Sequence, residues 1–309
     1  MTRRLAAVDL GTNTVRLLVV EAEGREWRPL HQSQRVTRLG EGQAETGRLL
    51  EAPMQRTVDT VSEFIAAARG LGASEIRVVA TSAVREAPNR AELLALLRAA
   101  TGLDASVVSG EEEARLTLQG VAAGLPQLGG SFVLFDIGGG STELVLGEGG
   151  RLGAVVSLQL GLVRLAERYG DAGPVDWARF ALMRGEIDGR LAREIPARII
   201  EAQAPALVGT AGTVTTLAAL DLGLPAYDAS RVQGHTLARG AVERLLKRLG
   251  ALAVAERARL PCLEPGRADV LIPGIAICLA VMDRLGYGSL VVSDRGLREG
   301  ILCEILSAR

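Results

Sequence analysis

The sequence is short of lysine, histidine, cysteine and aromatic residues, and each shortage removes a class of function. Of 35 basic residues one is lysine, Lys247, and the other 34 are arginine. Lys247 follows Leu246 and not glycine, so there is no phosphate loop of the G-x-x-x-x-G-K-[ST] type. The two histidines, His31 and His235, are far apart and make no H-E-x-x-H zinc helix or histidine cage. Cys262, Cys278 and Cys303 give no C-x-x-C pair and no even disulfide framework; they suit packing roles in a reducing compartment. Nine aromatic residues in 309 do not form a base-stacking platform. A net charge of −1, from 35 basic and 36 acidic residues, argues against bulk nucleic-acid binding. The longest apolar run, residues 270–282, contains Pro273 and Gly274 and is too short to span a bilayer. The apolar stretch after Arg4 meets Asp9 too soon for a signal peptide. A cytoplasmic protein with no nucleic-acid or membrane partner is expected.

What is present is an ordinary globular balance, 48% hydrophobic and 23% charged, at a length suited to about two domains. Strand and helix patterns alternate, which argues an α/β fold. Strands are expected at 5–8, 15–20, 26–39, 76–80 and 105–108, with helices at 53–71, 90–100 and 110–123. Residues 124–130 hold three glycines and a proline and read as a boundary. Beyond them the opening pattern recurs: strands at 132–135, 143–146 and 152–158. Helices at 161–169, 174–194, 212–221, 238–249 and 268–285 follow, with short strands at 206–209 and 289–293 and a last helix at 296–307. Asp-x-Gly between hydrophobic strands thus occurs twice, at Asp9 and at Asp136, 127 positions apart. We read this as an internal duplication of one supersecondary unit.

The chemistry concentrates in the loops. Gly11, Thr12, Asn13 and Thr14 offer backbone N–H groups and short polar side chains that can wrap phosphate oxygens. Asp9, at a strand end, is placed to hold a cation or orient water; the same residues would also make an ordinary hairpin turn. In the second loop Gly138, Gly139, Gly140, Ser141 and Thr142 again follow an aspartate. Glu143 lies seven positions after Asp136, where a hairpin brings both carboxylates near one point, as a Mg²⁺ site requires. Two such loops are most economically explained by a cleft that grips a polyphosphate from both sides. A third loop, Gly209-Thr210-Ala211-Gly212-Thr213, opens a helix and offers an anion site, or simply small residues for packing. Glu111, Glu112 and Glu113 exceed the needs of a helix first turn, so one of them is a candidate general base. Residues 80–89 read as a polar loop whose Arg85 is suited to pairing with phosphate.

At these segments the sequence resembles the exopolyphosphatase and guanosine pentaphosphate phosphohydrolase family, Ppx/GppA. The matching stretches are residues 7–17, 80–89, 109–116, 136–144, 209–213, 267–269 and 293–300, in family order along nearly the whole chain. The resemblance implies two actin-like (ribonuclease H-like) ATPase-fold lobes related by internal duplication, with an interlobe cleft. The lobes are expected at 1–125 and 126–297, with 298–309 packing back on the first. It implies Glu113 as catalytic base and Asp136 and Glu143 as metal-associated carboxylates. Phosphate binding falls on Asp9, Gly11, Thr12, Asn13, Thr14, Arg85, Gly138, Gly139, Gly140 and Ser141, on the third loop through Gly209, Thr210 and Gly212, and on Arg267 and Arg164. Longer relatives carry a further helical module of the HD type; this chain ends at Arg309 and looks like the short two-domain form.

The activity so implied is release of terminal orthophosphate from inorganic polyphosphate, or of the 5′-terminal phosphate from guanosine pentaphosphate (pppGpp), by water attack. Mg²⁺, or another divalent cation such as Mn²⁺, would assist, and a homodimer is implied. Two other classes stay open on the same fold: a phosphotransferase (kinase) and a non-catalytic phosphate-ligand sensor. The scarcity of lysine adds one inference: cationic side chains that touch phosphate here are arginines, whose forked donors suit bidentate contacts.

Overall fold

A computed structural model describes residues 2–308. The chain divides into two compact units: one takes the residues up to Gly120 together with those from Leu297 onward, the other Val121–Gly296. Among the described residues no helix is long and apolar enough to cross a membrane.

The first unit runs β1 (Arg3–Leu10), β2 (Thr14–Glu23), β3 (Glu26–Val36), α1 (Gln43–Thr46), α2 (Glu51–Gly70), β4 (Glu75–Ala80), α3 (Ser82–Glu86), α4 (Arg90–Thr101), β5 (Ala105–Val107) and α5 (Gly110–Gly124), whose last residues lie beyond the unit. Its sheet has the order β3-β2-β1-β4-β5. β1 is antiparallel to β2 and parallel to β4. Because β1 is buried on both faces, it reads as a nearly unbroken apolar run. Ala6, Val8 and Leu10 pack with Val58, Val61, Phe64 and Leu97 of α2 and α4. Leu5 and Ala7 pack on the other face with Leu116 of α5 and with Ile301, Leu302 and Ile305 near the chain's end. Asp9 continues the phase of Leu5 and Ala7, so it falls on this second face.

The second unit runs β6 (Phe132–Ile137), β7 (Thr142–Glu148), β8 (Arg151–Leu158), α6 (Leu162–Tyr169), α7 (Trp177–Glu194), α8 (Ala197–Glu201), β9 (Leu207–Thr210), α9 (Ala211–Asp221), α10 (Ala229–Val232), β10 (Thr236–Ala238), α11 (Arg239–Gly250), α12 (Val254–Arg257), α13 (Leu271–Leu285) and β11 (Ser289–Val292). The chain closes with α14 (Leu297–Ser307), which belongs to the first unit. The sheet order is β10-β11-β9-β6-β7-β8. Read from β8 to β11, it repeats the first unit's order, with two antiparallel pairs followed by two parallel ones. The apolar run at 270–282 is explained by α13: every residue from Leu271 to Met282 is buried, so this is a core helix with no polar face.

Two local readings need correction. Residues 80–89 are not a continuous loop, because Ser82–Glu86 forms α3. Five residues are too few for a helical period, and a helix this short holds only through outside contacts. One is the Ala83 N–H, which donates to Thr12 Oγ1 at 3.2 Å. The strand β10, three residues paired to β11, was also not expected. Its sequence is too short to show alternation.

Candidate active site

The two Asp-x-Gly loops are built alike. Asp9 pairs with Arg16 across β1 and β2, and Asp136 pairs with Glu143 across β6 and β7. Each position in one pair is 127 residues from its counterpart in the other. The Gly11 N–H donates to Thr14 O at 3.1 Å, and the Gly138 N–H donates to Ser141 O at 2.9 Å. A Cβ at Gly11 would lie 3.0 Å from Thr14 O, and one at Gly138 would lie 2.9 Å from Ser141 O. The closeness of the turn leaves no room for a Cβ at Gly138 and little at Gly11. Neither backbone takes the left-handed φ that glycine alone enters freely.

The duplicated pairs differ in charge, and that sets different chemistry. In the first unit Arg16 Nη1 lies 3.5 Å from Asp9 Oδ2. Asp9 is buried, and burial pushes its carboxyl up from the ordinary value, while the Arg16 and Arg298 guanidiniums pull it down and Glu299 pushes it up. Asp9 Oδ1, Asn13 Nδ2 and Thr14 Oγ1 are screened from solvent and have no hydrogen-bond partner. Buried polar atoms are rarely left so. A phosphate group, rich in acceptor oxygens, would satisfy the Asn13 and Thr14 donors. The rest of the loop is fixed: Asn13 O accepts from the Thr37 and Arg38 N–H groups, and Thr12 O accepts from Gly40 N–H.

α3 and α5 bring Arg85 to Glu113. Arg85 Nη1 donates to Glu113 Oε2 at 2.8 Å and to Val108 O at 3.1 Å. The acidic run is thereby sorted. Arg115 takes Glu112 through two bonds of 2.7 and 2.6 Å and also reaches Glu304 of α14 at 2.9 Å. Glu111 is exposed. Glu113, with its side chain 12% exposed, is the member of the run held beside Arg85. The Arg85 Nη2 atom is buried without a partner.

In the second unit Asp136 is half-buried and Glu143 is 2% exposed. Residues directly opposite on antiparallel strands share a face, so both carboxylates lie on one side of the sheet. Ser157, next in the row on β8, donates to Glu143 Oε1 at 2.7 Å. Among the described residues no three His, Cys, Asp or Glu side chains cluster as a metal cage. A pair of carboxylates fits Mg²⁺, which is commonly held by one or two carboxylates while phosphates and water complete its shell. The second loop is braced from below: Gly138 O and Gly139 O accept from the Leu162 and Val163 N–H groups at the start of α6. Arg164 follows in the same turn.

The third loop divides. Gly209 lies inside β9, where a Cβ would be 2.8 Å from the Phe135 ring; its smallness serves packing. The Thr210 hydroxyl is taken by the carbonyls of Ser293 and Arg295, each at 3.0 Å. Gly212 differs: a Cβ there would lie 1.6 Å from Arg267 Nη1. The buried Arg267 guanidinium thus occupies the space a side chain would fill, at the first turn of α9. Ala211 beside it takes a left-handed backbone, φ 68°, at a cost of about 1–2 kcal/mol for a non-glycine residue.

Residues 18–309 match the model of the Ppx/GppA phosphatase family. The chain belongs to the Ppx/GppA phosphatase family. It is 34% identical to exopolyphosphatase 2 of Mycobacterium tuberculosis, over 96% of this chain and 97% of that protein. Among solved structures it is similar to the Ppx/GppA family member of Aquifex aeolicus, with TM-score 0.82 and 30% identity over 100% of this chain and 99% of that one. It is also similar to an exopolyphosphatase from Cytophaga hutchinsonii, with TM-score 0.90 and 26% identity over 99% of this chain and 98% of that one. The fold is the actin-like ATPase fold of this family, and the chain is a hydrolase of phosphoanhydride bonds.

For this Ppx/GppA phosphatase the structure adds three charged residues that the sequence alone left unassigned. Arg16, Arg298 and Glu299 surround the Asp9 carboxyl. Arg298 Nη1 donates to Leu17 O at 3.4 Å and Nη2 lies 3.5 Å from Glu299 Oε1, while Glu299 is 4% exposed. The sequence carried a signal for one of them: Arg16 is the one charge among residues 15–20, the apolar part of β2.

Proposed function

We propose that the chain is an exopolyphosphatase that releases terminal orthophosphate from inorganic polyphosphate. The observation that carries this reading is the Glu113–Arg85 pair at 2.8 Å, in the same unit as a phosphate-shaped loop whose buried donors lack partners. A non-catalytic binder has no use for a positioned carboxylate base. The named exopolyphosphatase relatives support the substrate class.

Glu113 accepts a proton from the attacking water and aims it in line with the terminal phosphorus; a positioned base of this kind contributes about 10²–10⁴-fold. Within the first unit Thr14 Oγ1, Asn13 Nδ2 and Arg85 Nη2 donate to phosphate oxygens. In the second unit Asp136 and Glu143 would hold Mg²⁺, whose charge would offset that of a phosphate bound there. Arg267, buried on Gly212, supplies a guanidinium toward an anion at the start of α9.

Phosphate release measured in parallel on long polyphosphate, short polyphosphate, pppGpp and ATP, with and without Mg²⁺, tests the proposal. The expected result is Mg²⁺-dependent release that is fastest on polyphosphate. Faster release from pppGpp would assign the guanosine pentaphosphate activity instead, and phosphate transfer to an acceptor without release would overturn hydrolysis.

A further inference from the structure

Arg85 makes two kinds of demand at once. Its Nη1 is committed inward, to Glu113 Oε2 at 2.8 Å and Val108 O at 3.1 Å, while its Nη2 is buried with no partner. A guanidinium bonded to a base on one arm and open on the other is a bridge between that base and an incoming anion. The helix that carries it is itself tied to the first phosphate loop. The Ala83 N–H donates to Thr12 Oγ1 at 3.2 Å, and the Arg85 N–H donates to Thr81 O at 2.9 Å. Ala83 O in turn accepts from Gln43 Nε2 at 2.9 Å. Thr12 Cγ2 packs against the backbone of Gly40, where an added Cβ would lie 2.3 Å from it. Loop, short helix, guanidinium and carboxylate therefore form one connected path within the first unit.

We propose that Arg85 is a positioning residue for Glu113 in addition to a phosphate ligand, and that α3 couples the first loop to the orientation of the base. The proposal rests on Glu113 being the base. Phosphate in the loop satisfies Arg85 Nη2, and the guanidinium so fixed holds the Glu113 carboxylate in one orientation through Nη1. The short length of α3 suits this role, since five residues depend on the Thr12 and Gln43 contacts for their place.

A double-mutant cycle on polyphosphate hydrolysis tests it, with kcat and KM read separately. Arg85→Gln alone should raise KM and lower kcat about 10–100-fold. In the Glu113→Gln background the same change should raise KM as before and alter kcat by less than about threefold, because no base remains to be positioned. Arg85→Lys, which keeps the charge but not the fork, should recover part of kcat, and it serves for the cycle if Arg85→Gln does not fold. An effect of Arg85→Gln on KM alone would overturn the proposal, and so would an equal loss of kcat in both backgrounds. Native kcat in Glu113→Gln alone would instead remove the assignment of the base, which keeps the two failures distinguishable.

Discussion

Replacing Gly161 with alanine adds one methyl group where α6 meets the second glycine loop. A Cβ there would lie 2.2 Å from Gly139 O and 2.3 Å from the Cα and carbonyl carbon of Gly140. Carbon contacts relax near 3.5 Å, so helix and loop must part by about 1 Å. Gly161 has φ −113° and ψ 148°, a conformation open to any residue, so the whole effect is steric. The separation strains the bonds from Leu162 and Val163 N–H to Gly138 O and Gly139 O, which brace the loop. Overpacking of this kind costs about 1–3 kcal/mol, which lowers the melting temperature by a few degrees. A displacement of about 1 Å in a group that positions substrate costs about 10²-fold in rate. Initial rates of phosphate release and a thermal melt read both effects on one sample. Gly161→Ala is expected to lose about two decades of rate while staying folded. A variant with native rate and native melting would refute the argument that this contact places the loop.

Other consequences are open to the same assays. Asp9→Asn removes a carboxylate whose titration burial has pushed up; ionised Asp9 therefore opposes folding at neutral pH, and its favourable share is present at low pH and lost as pH rises through the folded value. Relative to the native protein, the melting point of the variant should therefore be more favourable at pH 8 than at pH 4, and phosphate release should be lost; a difference in melting point that moves the other way with pH would contradict this. Ser157→Ala removes the donor to Glu143 Oε1 and should raise the Mg²⁺ concentration needed for half-activation about 10–100-fold, with Mn²⁺ titration of the protein alone showing the same weakening. An unchanged titration would sink that role. Gly300→Ala would place a Cβ 1.9 Å from Leu116 O, so α14 must lift from α5; a loss of about 1–3 kcal/mol in denaturant unfolding is expected, and wild-type stability would count against the packing described.

Much of the fold was legible because its main signals are local. Both Asp-x-Gly loops sit between apolar strands, and each strand is buried enough to read as an unbroken run. The separation of seven positions from Asp136 to Glu143 suits a hairpin, and the register across β6 and β7 sets the two opposite each other. What stayed hidden depends on partners distant in the chain. The Glu112–Arg115 pair is local, three positions apart on α5, but nothing near Glu113 says that it is held by Arg85; that follows from α3, which is too short to show a period. Gly212 reads as a helix-start glycine, and only the fold shows that it clears space for Arg267, 55 positions on. Arg298 and Glu299 fall in the expected last helix, and only the fold shows that α14 brings them close to Asp9, with Glu299 buried.

The central claim is that Glu113 is the base of a polyphosphate hydrolase. The measurement that tests it most directly is kcat for orthophosphate release from polyphosphate at saturating Mg²⁺, compared between the native chain and Glu113→Gln. Glutamine keeps the size of the side chain and an acceptor oxygen but takes up no proton. A fall of about 10²–10⁴-fold in kcat is expected, with KM nearly unchanged and the fold intact by thermal melting. A Glu113→Gln enzyme that turns over within a few-fold of native would contradict it.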